Sequence, residues 1–235
     1  MQLKFLPSFV KRRGRITKKQ ESNLKFLSNY SVSTIDEIFN ESMNYKMCNL
    51  EIGFGNAENL IYEATNNPNI LFIGSEVYLS GIGTLISHIK EKQIQNIRIF
   101  PNDIRLLFDQ RKKMIFDGIK IICPDPWPKD RHHKRRLIDE FFLNMMHKFM
   151  KDKAYLYIST DWENYAHQIS CAFNKIDFFN KSNNFFLNKI ELTKFEKKAV
   201  NEGRKIFEFN LSLIHISEPT RPERIGGGGG GGGKK

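Results

Sequence analysis

The chain has 235 residues, ordinary hydrophobic content and a formal net charge of +11. That size suits one domain with a substantial core plus short extensions. No apolar run approaches the roughly 20 residues of a membrane helix, and the start, "MQLKFLPSFVKRRGR", lacks the apolar stretch of a secretory signal. The expectation is a cytoplasmic protein with no membrane association.

Cys48, Cys123 and Cys171 are scattered, odd in number and form no C-x-x-C pair. They indicate neither a disulfide framework nor a zinc site, and no metal is expected. The excess of Lys and Arg favours an anionic partner, most simply nucleic acid. AT-rich coding, visible in the abundant Lys, Asn, Ile and Phe, accounts for part of that charge. It does not account for clustered arginines.

Residues 1–43 read as a basic N-terminal extension, because "VKRRGRITKKQ" is polar and lacks periodicity. From Lys46 the pattern changes. "MCNLEIGFG" reads as a strand and its loop, and "AENLIYEATNN" as a helix stopped at Asn66-Asn67-Pro68. "NILFIGSEV" is a second strand, and "LSGIGTLISHIKEKQ" a helix that could start after its glycines. "NIRIF" is a third strand, "DIRLLFDQ" a short helix, and "FDGIKIICPDPW" a fourth strand with its loop. "RRLIDEFFLNMMHKFM" has helical spacing, "KAYLYISTD" is a fifth strand and "WENYAHQISCAF" another helix. This alternation implies βαβ units and a doubly wound, mostly parallel α/β sheet with helices on both faces. Ligands bind beyond the carboxyl ends of such strands.

Five acids stand at those ends: Glu51, Glu76, Asp103, Asp125 and Asp161. A single Asp after a strand is often only a helix cap, and that reading competes for Asp103 and Asp161. Five together form a pattern. Gly53 and Gly55 let the backbone pass close to a ligand. The dinucleotide fingerprint is incomplete, since Glu58 takes the third glycine position. Glu51 and Glu58 would also oppose a pyrophosphate. Glu76, about 20 residues beyond the first glycine, is placed to accept from ribose hydroxyls. Acids, a glycine turn and no phosphate cradle fit S-adenosylmethionine better than a nicotinamide dinucleotide.

Pro124 and Pro126 restrict the backbone on both sides of Asp125. Trp127 offers a face for a base. Lys129, Arg131, Lys134, Arg135 and Arg136, with His132 and His133 among them, offer phosphate contacts. Adjacent histidines do not share a face, which argues against a metal pair. The same run could be the solvated start of a helix, but cations are disfavoured there by about 0.3–1 kcal/mol each. "TDWE" at Thr160 to Glu163 repeats the acid–tryptophan theme, and "LTKFEKKA" at Leu192 to Ala199 reads as a loop.

"EIGFGNAENL", "IGSEV", "PDPWPKDRHHKRRL", "STDWENYA" and "TKFEKKA" together resemble the successive motifs of bacterial tRNA (guanine-N7)-methyltransferases, from about Ser8 to Phe209. The resemblance implies a class I, Rossmann-like fold with a seven-stranded sheet spanning 44–210. It implies S-adenosylmethionine as methyl donor and tRNA as partner, with the guanine at position 46 of the variable loop as acceptor. Carried over by motif, the cofactor positions are Glu51, Gly53, Gly55, Glu76, Asp103 and Asp125, with Asp125 also catalytic. Lys129, Asp161, Thr193, Lys194, Phe195 and Glu196 correspond to substrate positions, and Arg131 to Arg136 to the RNA-contacting run. Ala57 departs from the family's usual glycine, Ser75 from a common apolar residue, and "VNEGRKIFEFN" follows the family's ending only loosely. The assembly expected is a monomer or homodimer. Two other functions compete: an RNA-binding protein of this fold without methyl transfer, which would have lost strand-end acids, and a methyltransferase for a non-tRNA substrate, which leaves the basic run without a task.

Residues 211–235 read as a non-native or disordered tail, and Glu218 to Lys235 are expected to carry no function. "LSLIHISEPTRP" resembles the read-through translation of a sequencing adapter, and glycines 226–233 a poly-G run; the alternative has Leu211 to Ile216 continuing a last strand.

Overall fold

A computed structural model describes residues 5–9, 16–182 and 192–214 of the chain. In chain order the elements are α1 (Lys18–Leu24), α2 (Ile35–Ser42), β1 (Met47–Ile52), α3 (Glu58–Asn66), β2 (Ile70–Ser75), α4 (Leu79–Lys92), β3 (Ile97–Phe100) and α5 (Ile104–Phe108). They continue with β4 (Phe116–Ile122), α6 (Glu140–Met146), β5 (Met150–Thr160), α7 (Glu163–Phe173), β6 (Phe179–Lys181), α8 (Lys194–Asn201) and β7 (Phe207–Leu213). The seven strands run in the order β3-β2-β1-β4-β5-β7-β6, parallel as far as β5, with β7 antiparallel to both β5 and β6.

Alternate residues of each strand face opposite layers. Leu71 and Ile73 join one hydrophobic cluster with α2, α5, α6 and α7, whereas Phe72 joins a second with α3 and α4. The strand order reverses between β1 and β4. That switch point opens a crevice at the carboxyl ends of the strands, where sheets of this class hold ligands.

Several elements depart from the sequence reading. α4 runs straight through its glycines. Gly83 is there because a Cβ would come within 2.6 Å of the Gln20 carbonyl oxygen of α1, so the bare backbone lets the two helices touch. α1 and α2 are regular helices, and Ile35 and Ile38 of α2 are buried in the main core, so the division at residue 43 separates residues that share one core. α1 has a capping box, Thr17 with Gln20, a signal present in "TKKQ". β7 extends to Leu213, three residues past the boundary at 210, and Leu211 and Leu213 are buried. The rest of the tail lies outside the described residues. Among these residues no helix is long and apolar enough to cross a membrane.

Candidate active site

β1 delivers Glu51, Gly53 and Gly55 to the crevice. Gly53 and Gly55 both take positive φ, +73° and +52°, a conformation that favours glycine. Ala57 does the same at +62° with a Cβ in place and no exposure. Glu51 is buried and its Oε2 accepts from Asn59 Nδ2 at 2.8 Å, so α3 braces the first acid.

β2 delivers Glu76, also buried. Its Oε2 accepts from Gly55 N at 2.9 Å, and its Oε1 from Val77 N at 2.7 Å and Tyr78 N at 3.0 Å. One carboxylate thereby ties the glycine turn to the start of α4. Burial pushes the Glu76 carboxyl above its usual range against the pull of these three donors, and the charge of Asp125 adds to the rise.

β3 delivers Asp103, which caps α5 by accepting from Arg105 N at 3.0 Å. It also holds the Arg105 guanidinium in a two-pronged ion pair, at 3.0 and 2.6 Å. The capping reading of Asp103 therefore holds alongside a place on the cavity wall.

After β4 the loop Pro124-Asp125-Pro126 is bracketed by Cys123 and Trp127, both at φ +46°. Non-glycine residues in that region carry strain, of order 1–3 kcal/mol each, and such strain gathers at functional loops. Asp125 is exposed. The Trp127 indole N–H donates to Ser8 O at 3.1 Å, Arg135 lies over its ring at 5.2 Å and His132 meets it edge-on at 5.7 Å. Trp127 thus serves as part of the loop's support and does not line the cavity.

β5 delivers Asp161, whose Oδ2 lies 3.0 Å from Arg204 Nη1. It does not cap α7; Trp162 occupies that position without a side-chain cap bond. α8, read from sequence as a loop, starts at a capping box in which Thr193 and Glu196 satisfy each other. Glu196 is fully buried and accepts from Ser159 Oγ at 3.2 Å.

Glu51, Gly53, Gly55, Glu76, Asp103, Asp125, Asp161, Thr193, Lys194 and Phe195 line one cavity of about 430 Å³. Phe195, 59% exposed, is one of the aromatics that line it, packed so closely over Gly55 that a Cβ there would come within 3.3 Å of its ring. Among the described residues no cluster of three or more His, Cys, Asp or Glu could hold a metal ion.

Comparison with known proteins decides the family. Residues 45–209 match the family model described as "Putative methyltransferase". A tRNA (guanine-N(7)-)-methyltransferase of Nitrosococcus oceani is 35% identical over 86% of this chain and 89% of its own. One from Buchnera aphidicola (subsp. Acyrthosiphon pisum) is 36% identical over 90% and 92%. The chain belongs to the tRNA (guanine-N(7)-)-methyltransferase family. Among solved structures it is similar to the 16S rRNA methyltransferase KamB, with a TM-score of 0.55 and 9% identity over 78% of this chain and 95% of that one. The aminoglycoside resistance methyltransferase NpmB1 gives 0.52 and 11% over 78% and 95%. These two bear on the fold alone.

The family's remaining motif positions fall outside the cavity wall. Glu196 sits behind it. Lys129 is exposed beside it, and the run that follows forms a short 3₁₀ helix, Asp130–Arg135, rather than the start of α6. α6 begins later, capped by Asp139. Arg131 and Lys134 are exposed; His132, His133 and Arg135 are half-buried. Partial burial first, and then the flanking cations, hold the His132 imidazole below its usual range. Arg136 differs from the rest of the run. It is only 3% exposed, donates from Nε to Pro126 O at 2.8 Å and from Nη1 to Gln168 Oε1 at 2.7 Å, and lies over the Tyr165 ring. It anchors the Asp125 loop to α7. Sequence reasoning missed Asn59, Arg204, Lys198 and the Ser8–Phe9 segment, all of which line the cavity. For α8, the T-x-x-E box of "TKFE" is the signal that could have found it.

Proposed function

We propose that this protein transfers a methyl group from S-adenosylmethionine to N7 of a guanine in the variable loop of tRNA. The observation that carries the reading is the convergence of the strand-end acids and the Thr193–Phe195 edge of α8 on one cavity, in a chain of this family. An exposed basic loop borders that cavity.

The cavity wall fits the donor. The side chains around the glycine turn are Glu51, Glu76 and Asp103, which suit hydroxyls, amines and a cationic sulfonium and would repel a pyrophosphate. When bound, S-adenosylmethionine supplies an electrophilic methyl group. Glu76 uses three acceptor positions on backbone N–H groups, and a carboxylate has about four, so about one position remains for a ribose hydroxyl.

Guanine N7 bears a lone pair and no proton, so the acceptor needs no strong base. What the protein must supply is position and charge. Asp125 and Asp161 orient the base through its N–H edge and offset the positive charge that it acquires. Lys129, Arg131, Lys134 and Arg135 hold phosphates. The tRNA substrate suits work in the cytoplasm, by a monomer or a homodimer.

The test is incubation of unmodified tRNA with S-adenosylmethionine, followed by borohydride reduction and aniline cleavage at 7-methylguanosine. One cut in the variable loop is expected. No cut, or a cut elsewhere only, contradicts the proposal.

A further inference from the structure

Arg204 enters the cavity from the turn between α8 and β7, in the stretch that follows the family's ending only loosely. Its Nη1 lies 3.0 Å from Asp161 Oδ2, and its Nη2 donates to Glu202 Oε2 at 2.5 Å. Its Nε is buried with no hydrogen-bond partner among the described residues. Glu202 thus pins one arm of the guanidinium while the other lies against Asp161. Both Arg204 and Asp161 line the cavity wall. A base that enters meets a donor and an acceptor side by side.

Guanine carries the matching pattern. Its O6 accepts, and the adjacent N1–H and 2-amino groups donate. Adenine carries the reverse, a 6-amino donor beside an N1 acceptor, so donor would face donor and acceptor would face acceptor. We propose that Arg204 determines base specificity. Together with Asp161 it reads the O6/N1–H edge of the target guanine, Arg204 at O6 and Asp161 at N1–H. The proposal rests on the reading of this cavity as a guanine methylation site.

The pair also suits the chemistry. A donor at O6 leaves the N7 lone pair unoccupied. Arg204 and Asp161 are neutral as a unit, so recognition adds no net positive charge beside a base that becomes cationic. Binding of the tRNA body falls to the exposed basic loop, so loss of Arg204 acts on the base and not on the phosphates.

The experiment compares tRNA transcripts carrying guanine or 2-aminopurine at the acceptor position, with wild type, Arg204→Lys and Arg204→Ala. The 2-aminopurine base lacks both O6 and the proton on N1. Single-turnover methylation at N7 and tRNA affinity are both measured. Arg204→Ala is expected to slow guanine methylation about 10- to 100-fold, the usual worth of a base-edge contact. Methylation of 2-aminopurine should change less than about 3-fold, so the preference for guanine narrows by the same factor. Arg204→Lys should recover part of the loss, and tRNA affinity should stay within a few-fold. Equal losses on both bases would reveal a merely structural role and overturn the proposal, as would an unchanged guanine rate. Absence of 7-methylguanosine with the wild-type protein would overturn the functional reading itself, and this proposal with it. If Arg204→Ala does not fold, Arg204→Met, which keeps the side-chain stem and has no N–H donor, makes the same comparison.

Discussion

Ala57 shows how much a single methyl group can matter. It is buried at φ +62°, where the family's usual residue is glycine. The left-handed conformation costs an alanine about 1–2 kcal/mol, against a glycine entropy penalty of about 0.5–1 kcal/mol. Ala57→Gly should therefore raise unfolding stability by up to about 1.5 kcal/mol, read from denaturant midpoints at unchanged slope. A loss of stability would mean that the methyl contributes packing which outweighs its strain. The departure itself is visible in the sequence; its backbone angle is not, because nothing local to "GNAEN" dictates a left-handed alanine. Asp103 and Asp161 teach a related lesson. Both could be helix caps by position, yet one caps α5 and the other instead faces Arg204, more than 40 residues along the chain. Periodicity carries no information about such a long-range partner.

The loop from Cys123 to Arg136 divides its cations between two tasks. Arg131 and Lys134 project into solvent, whereas Arg136 is buried against Pro126, Gln168 and Tyr165. Arg131→Ala should leave folding intact, weaken tRNA binding and reduce the slope of log affinity against log salt by about 0.7–0.9. Arg136→Ala should leave that slope unchanged. It should lower thermal stability, because Pro126 O and the Gln168 amide lose a charged partner, a loss of about 1.5–3 kcal/mol. A salt slope that falls by the same amount for Arg136→Ala would return it to the RNA surface. From "RHHKRR" alone these residues are equivalent, and only the packing of α7 tells them apart. Strands fared better. Their short apolar runs bounded by Gly, Pro and Asp mark all five of the parallel strands. α8 reads as a loop, because a single Phe among polar residues hides its periodicity, although the T-x-x-E box is there to find.

At the scale of the whole molecule, βαβ alternation led to the parallel sheet, and the sheet led to the crevice. The acids named from strand-end positions line one cavity because parallel strands present their carboxyl ends on one rim. The antiparallel β7 and β6, and the docking of α2 into the core, came from long-range pairing. Local pattern does not encode either. The turn before the closing strand holds Arg204, so the part of the chain least legible in the sequence supplies an unexpected cation of the pocket. The central claim is that this rim brings the methyl donor and the target guanine together around Asp125. Its most direct test is transfer from labelled S-adenosylmethionine to unmodified tRNA by wild type and Asp125→Ala, with nucleosides analysed and tRNA binding measured in parallel. The account predicts label in 7-methylguanosine for the wild type, and none for Asp125→Ala while tRNA binds within a few-fold. Undiminished transfer by Asp125→Ala would contradict it.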